Sequence, residues 1–344
     1  MKQTVIVAFS YIAAVIGAGF ASGAEVVSFF LAYGKESVIG IVLSCVLFGV
    51  FSYIMLKDCV EYGISDFSEY LKFIMPDFFR RITNAVVFIF MSISLAAMSA
   101  AAGEILNDIF MLPVFYGVII FSILCVFLLN FSVFGLTKIN GILGIIIAMG
   151  LVLSCIYIIN FRFLETFNSL TKITSSAISY TAYNQVAAAV ILCSMSTLLR
   201  TKRQAVFASG LIGVGVFVIL MALWCVVGIY YGKVDLGEIP MLSIASRQGR
   251  GFYIIYSIIL FLAVLTTAIS NGFGVIEYVK KITSKWGSLV IILVFMIFLS
   301  EMGFSRIVNI AYRLSGYASL IFPMFMIINK VKRRNKEKTK ETNE

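Results

Sequence analysis

The chain has 344 residues, 61% of them hydrophobic and 13% charged, with a formal net charge of +10 and no histidine. With a mean hydropathy of +1.02, this composition excludes a soluble globular domain and points to an all-α polytopic membrane protein. Long continuous apolar runs, in place of short alternating segments, exclude a membrane β-barrel.

Ten spans are predicted, near residues 4–33, 37–57, 82–106, 113–130, 137–160, 174–199, 204–231, 252–277, 287–304 and 307–329. Met1-Lys2 leads directly into the first, with no small-residue cleavage site, so no removable signal peptide is expected. The centre of that first span reads Gly17-Ala18-Gly19-Phe20-Ala21-Ser22-Gly23-Ala24-Glu25. Glycine weakens a helix interior by roughly 1 kcal/mol relative to alanine. A carboxylate facing the bilayer centre costs about 2.5–3.5 kcal/mol or more. A helix broken at this depth is tolerated only where the freed backbone is buried in protein or lines a wet cavity. The span is therefore expected to open near Gly17–Ser22 and present main-chain groups to a solute. The competing reading is a close helix contact through Gly19-xxx-Gly23.

Between the second and third spans, Phe67, Tyr70, Leu71, Phe73 and Ile74 alternate with acids and lysines, as in an interfacial amphipathic helix. The loop 232–251 contains Pro240 and a short Met241–Ala245 run that suggests a surface lid helix. Six cysteines lack paired spacing and read as buried thiols. The absence of histidine removes the commonest general base and metal ligand, and no paired-carboxylate or phosphate-loop motif replaces it. No enzyme activity is expected.

Lys and Arg set the orientation. With the N-terminus inside, nineteen fall on the cytoplasmic side, including Lys2, Lys57, Arg200 and seven in the tail, against seven outside, from Lys35 and Arg162 to Arg306. Arg313 lies within the last span. This bias puts both termini of a multi-pass cell-membrane protein in the cytoplasm. The basic stretch 330–344 then reads as a cytoplasmic tail beside anionic lipid, and no nucleic-acid partner is expected.

Spans two to five recur about 170 residues later as spans seven to ten. Five spans per copy invert the second copy, giving repeats at 1–162 and 163–329 and a binding site at the midplane. The counterpart of the first span is the sixth, centred on Tyr183-Asn184-Gln185 with Ala187 one turn on. It has no glycine. Either it breaks as the first does, or it stays helical with Asn184 bonding a neighbouring helix.

Ten spans in a 5+5 arrangement, the Gly17-x-Gly19 break and the Thr266-Thr267 pair of span eight resemble the LeuT-type fold of the amino acid–polyamine–organocation superfamily. The wording Gly-Ala-Gly-Phe-Ala-Ser-Gly-x-Glu resembles the YkvI-like bacterial membrane proteins more specifically. The resemblance implies a Na+ site between spans one and eight, with carbonyls of Ala13, Ile16 and Ala263 and the hydroxyls of Thr266 and Thr267. It further implies a substrate site at Ala18, Gly19, Phe20, Ala21, Ser22, Gly23, Glu25, Tyr183, Asn184 and Ala187. Two departures stand out. Phe20 replaces the asparagine of symporters with a second sodium, and Gly23 occupies the position of their outer-gate arginine.

Glu25 suits the start of an outer half-helix, or a contact with a coupling cation or a substrate amine. Glu104, Asp108, Glu277 and Glu301 read as boundary residues, and Arg313 needs a partner that the sequence does not name. The function expected is cation-coupled symport of a small organic solute such as an amino acid. A ligand-sensing subunit that kept the permease fold, as in spore-germination receptors, is the alternative.

Overall fold

A computed structural model describes residues 2–130, 133–158, 170–279 and 282–343, without the side chains of Ala18, 133–142, Glu277 and 336–343. The expected boundary at residues 162 and 163, Arg162, Lys280 and Lys281 therefore lie outside the described residues, as do the side chains of Lys138, Lys336, Lys338 and Lys340.

Every regular element among the described residues is a helix. The first span is divided into α1 (Lys2–Val15), α2 (Ala18–Ala21) and α3 (Ala24–Phe29), followed by a 3-10 turn at Leu31–Tyr33. Then come α4 (Ser37–Tyr62), α5 (Phe67–Ile74), α6 (Asp77–Phe110), α7 (Val114–Leu129), α8 (Val133–Ile158), α9 (Leu170–Ser196) and α10 (Lys202–Tyr230). The last third contains α11 (Pro240–Ser246), α12 (Arg250–Val279) and α13 (Lys285–Ser300). It ends in α14 (Phe304–Arg306), a π-helical turn at Ile307–Tyr312, α15 (Arg313–Ser319) and α16 (Ile321–Asn343).

Five described helical stretches are long and apolar enough to cross a membrane on their own: Ser37–Tyr62, Asp77–Phe110, Lys202–Tyr230, Arg250–Ile276 and Phe304–Asn335. Shorter apolar helices lie beside them, among them Lys2–Val15, Val114–Leu129 and Lys285–Ser300. Their outward faces carry Ile120, Ile123, Phe127, Val214, Val290, Val294 and Phe298, all exposed, as a lipid-facing belt requires.

Helices about 170 residues apart pack on one another. The pairs α1 with α9, α4 with α10, α6 with α12 and α7 with α13 are all in contact. Where α4 crosses α10, a Cβ on Gly213 would lie 3.1 Å from Cys45 O and 3.6 Å from Gly49 Cα. Only small residues allow backbones this close. α1 sits at the centre, against α8, α9, α10 and α12.

The amphipathic segment forms α5, with Asp66 Oδ1 accepting from the Ser68 and Glu69 amides at 2.5 and 3.3 Å as its N-cap. Its Phe67, Tyr70, Leu71 and Ile74 are buried against the bundle. The expected lid helix forms as α11, begun by Pro240, but it is not a surface element. Met241, Leu242, Ile244 and Ala245 are buried, because this apolar run packs on α12 and α10 and its Met241 amide bonds Ser22 O of the first span. The start of the basic segment continues the last helix. α16 runs unbroken through residue 330, and Arg333 Nη1 meets Asp58 Oδ1 of α4 at 2.9 Å.

Candidate functional site

The ladder of the first span fails twice. At the end of α1 the Gly17 amide turns to Val15 O (2.8 Å), leaving the Ala13 carbonyl without its helical donor. A single turn follows, closed by Ala21 N to Gly17 O at 2.9 Å. The second failure is at Gly23, whose φ of 80° starts α3. The open stretch expected at Gly17–Ser22 is thus two breaks around one helical turn.

Each glycine has its own reason. A Cβ on Gly17 would meet Thr267 of α12 at 3.2 Å. One on Gly19 would overlap Glu25 Oε1 and lie 2.8 Å from its Cγ. Gly23 occupies the left-handed region that residues with a Cβ rarely adopt. The Gly19-xxx-Gly23 pair is therefore not simply a helix-packing stripe.

Much of the main chain freed by these breaks is satisfied within the protein. Ser22 Oγ donates to Gly19 O (3.1 Å) and accepts from Ala24 N (3.2 Å). Tyr256 Oη donates to Ala21 O at 2.6 Å, and the Met241 amide of α11 donates to Ser22 O at 2.8 Å. Phe20 is fully buried in the core.

The sixth span, α9, is continuous, which corrects the expectation of a second break. Its polar residues bond their own helix. Asn184 Nδ2 donates to Tyr180 O (3.1 Å), and Thr181 Oγ1 donates to Ala177 O (2.9 Å). Without glycine nothing weakens the ladder, and Asn184 bonds one turn back while its side chain lies beside Glu25 of α3. Gln185 reaches α1, where Tyr11 Oη donates to its Oε1.

Facing the break, α9 presents Tyr180 and Tyr183, both fully buried, to the Glu25 carboxyl, with Asn184 beside them. Glu25 is 2% exposed, and the hydroxyls of both tyrosines and the Asn184 amide are the polar groups gathered about its carboxyl. Among the described residues no Lys or Arg forms an ion pair with Glu25. The tyrosine rings lie 5.7 Å apart and are joined by Phe29 (5.4 and 5.6 Å). Phe90 and Tyr312 close on Tyr183 at 5.2 and 5.4 Å. Ala187, half-buried, follows one turn later on the same helix.

Across the break, Thr267 Oγ1 donates to Ile16 O at 3.2 Å. Thr266 Oγ1 donates to Ala263 O within its own helix at 3.0 Å. Ala13 is buried where Gly144 of α8 makes room for its methyl. The structure therefore brings Ile16 and Thr267 into direct contact, one turn along α12 from Ala263. Close by, Asn271 Nδ2 donates to Ser94 Oγ (2.8 Å), which meets Tyr312 Oη at 3.0 Å.

Arg313 finds its partner in the first span. It donates to Ser28 O and lies 5.8 Å from the Phe29 ring centroid, while Ser28 Oγ donates to Asn309 Oδ1. Asn309 belongs to the π-helical turn, a distortion frequent at functional sites. A cavity of about 250 Å³ opens here, lined by Ser28, Asn309, Asp235, Glu238 and Pro240 among others.

Sequence reasoning singled out Glu25 and Arg313 but missed Tyr180, Phe29, Phe90 and Tyr312. The spacing of Tyr180 and Tyr183 on one face of α9 was the available signal.

No family model matches the sequence. Two Bacillus subtilis (strain 168) proteins are similar along nearly their whole length. The uncharacterized protein YyaD is 26% identical over 322 residues, covering 91% of this chain and 93% of YyaD. The membrane protein YkvI is 25% identical over 339 residues, covering 95% and 96%. Among solved structures, MhsT in complex with L-phenylalanine matches with a TM-score of 0.66 at 13% identity, covering 96% of this chain and 88% of MhsT. A Na+-coupled sialic acid symporter matches at 0.61 and 12%, covering 95% and 76%. The nucleobase-cation-symport transporter Mhp1 matches at 0.60 and 12%, covering 95% and 79%. The chain is therefore a multi-pass membrane protein with the LeuT-type fold of these transporters, similar along nearly its full length to the YkvI-like bacterial membrane proteins.

Proposed function

We propose that the chain is a secondary transporter of a small organic solute, such as an amino acid, coupled to sodium and working by alternating access. The observation that carries this reading is the contact of Thr267 Oγ1 with Ile16 O where α1 ends. A carbonyl released by a broken helix and a hydroxyl from a second helix are the neutral oxygens that a monovalent cation recruits in place of water. Ala13, Ala263 and Thr266 complete the proposed sodium site. Glu25, Tyr183 and Asn184 form the core of the proposed solute site, bounded by Ala18–Gly23 and Ala187.

The packing of α4 on α10 and of α6 on α12 supports inverted repeats at 1–162 and 163–329. In that arrangement ten spans place both termini, and the basic segment 330–344, in the cytoplasm. The outer closure consists of α11 against Ser22 and of Arg313 on Ser28 and Phe29. Arg313 thereby supplies from the last span the guanidinium that Gly23 cannot supply from the first.

The test is uptake by proteoliposomes of a panel of labelled solutes under imposed sodium or proton gradients. Gradient-driven accumulation supports the reading. Binding without uptake would replace it with a ligand-sensing subunit.

A further inference from the structure

The proposed sodium site and the proposed solute site share no residue, so coupling between them has to be carried by atoms in contact. Thr267, which meets Ile16 O, belongs to α12. One turn further along the same face of that helix stands Asn271, 5% exposed. Its Nδ2 donates to Ser94 Oγ of α6 at 2.8 Å, and Ser94 Oγ meets Tyr312 Oη of the π-helical turn at 3.0 Å. Ser94 and Tyr312 are buried as well. Bonds between buried polar groups are costly to break, because each group left unpaired has lost its water for nothing. Tyr312 is at the same time a wall of the solute site. Its ring lies 5.4 Å from that of Tyr183 and 5.5 Å from that of Phe90.

The contacts line up along α6. Phe90, Ser94 and Met98 follow at four-residue spacing, which puts them on one face. Phe90 touches the two tyrosine rings, and Ser94 bonds Asn271 and Tyr312. Met98 reaches the first break, where a Cβ on Gly17 would lie 3.7 Å from its Cε. Beyond Tyr312, the π-helical turn also carries Asn309, which accepts from Ser28 Oγ, and Arg313 follows it and donates to Ser28 O. A π-helical turn takes up one residue more than an α turn, and a return to α geometry re-aims its side chains. The turn is thus an element with two discrete settings, gripped by α6 and α12 on one side and by α3 on the other.

Resting on the sodium-coupled transporter reading, we infer that Asn271 and Ser94 are positioning residues that pass the occupancy of the sodium site to Tyr312 and, through the π-helical turn, to α3. They hold the Tyr312 ring against the solute site in the register that α12 dictates.

The test uses sodium chloride as the probe, against equal potassium chloride, on the purified full-length protein carrying Val27→Cys, a position of α3 that lines the outer cavity. Thermal unfolding reports ion binding. The rate of maleimide labelling at Val27→Cys, after subtraction of labelling in wild type, reports the setting of α3. Sodium should raise the melting temperature of this parent and change its labelling rate about fivefold or more, the low end of coupling between sites. Asn271→Leu and Ser94→Ala should keep the rise in melting temperature and lose the change in labelling. Ser94→Thr, which keeps the hydroxyl, should retain both, and Thr267→Val should lose both. If Asn271→Leu does not fold, Tyr312→Phe takes its place, since it removes the hydroxyl and keeps the ring. Ser94 and Asn271 variants that respond to sodium like the parent, or that lose the rise in melting temperature as well, would overturn the inference and leave the sodium site standing. So would a parent whose melting temperature rises with sodium while its labelling does not change. Sodium without effect on either readout in the parent would overturn the sodium-coupled reading, and this inference with it.

Discussion

The Glu25 carboxyl folds back over Gly19 so closely that a methyl there would overlap its Oε1 and stand 2.9 Å from its Cδ. The glycine therefore makes room for an acid six residues along the chain, across the second break of the span. Gly19→Ala should push Glu25 out of its place, since the added methyl would lie within 3 Å of the Glu25 side chain from Cγ to Oε1. Solute binding should fall by an order of magnitude or more, with a stability loss no larger than the roughly 1–3 kcal/mol of an overpacked site. Gly23→Ala should behave differently. Its φ of 80° and Val227 at 3.0 Å make it a stability variant, costing about 1–2 kcal/mol from the left-handed backbone alone. Thermal unfolding and solute titration of the two variants separate these effects.

The orientation proposed from the lysine and arginine count is tested by cysteine labelling. Cysteines introduced at exposed Arg247 of the 232–251 loop and at exposed Arg334 of α16 provide the two reporters. An impermeant maleimide on intact cells should label the first and spare the second. Labelling at Arg334 would reverse the topology.

How much of this was legible in the sequence depended on whether a residue broke a local rule. Gly17, Gly19, Gly23 and Glu25 stood out because they are poor choices inside an apolar helix, and each does mark a break or a close contact. Arg313 stood out for the same reason. Its partner did not, because Ser28 O is a main-chain carbonyl and no side chain advertises it. The sixth span was misjudged in one respect, since Asn184 looked like a sign of an open helix while its amide bonds Tyr180 O one turn back. The aromatic box was the least legible part. Phe29, Phe90, Tyr183 and Tyr312 come from four separate segments, and only the packing of α3, α6 and α9 with the π-helical turn brings their rings together.

The basic end of the chain offers a separate check. Arg333 bonds Asp58 Oδ1 and Tyr62 Oη, with its guanidinium 4.4 Å from the Tyr62 ring centroid and 5.0 Å from that of Phe73. Asp58 is largely buried, so Arg333→Ala leaves its carboxylate without its charged partner. A loss of about 1.5–3 kcal/mol is expected from a hydrogen bond between charged groups, and Arg333→Lys should recover only part of it. Asp58→Asn combined with Arg333→Ala should cost less than the sum of the single changes in denaturant titrations. Strict additivity would mean that the segment is a free tail.

The most direct test of sodium-coupled transport is gradient-driven uptake by proteoliposomes containing wild type, Thr267→Val or Glu25→Gln. Thr267→Val removes the hydroxyl that meets Ile16 O at nearly constant volume, whereas Glu25→Gln removes charge from the solute site alone. Wild type should accumulate solute under an inward sodium gradient and stop when an ionophore collapses it. Thr267→Val should lose the sodium dependence of both uptake and binding. Glu25→Gln should weaken solute binding while retaining whatever sodium response remains measurable. Uptake that ignores sodium in wild type, follows a proton gradient and collapses in Glu25→Gln would contradict the sodium site and transfer the coupling to Glu25.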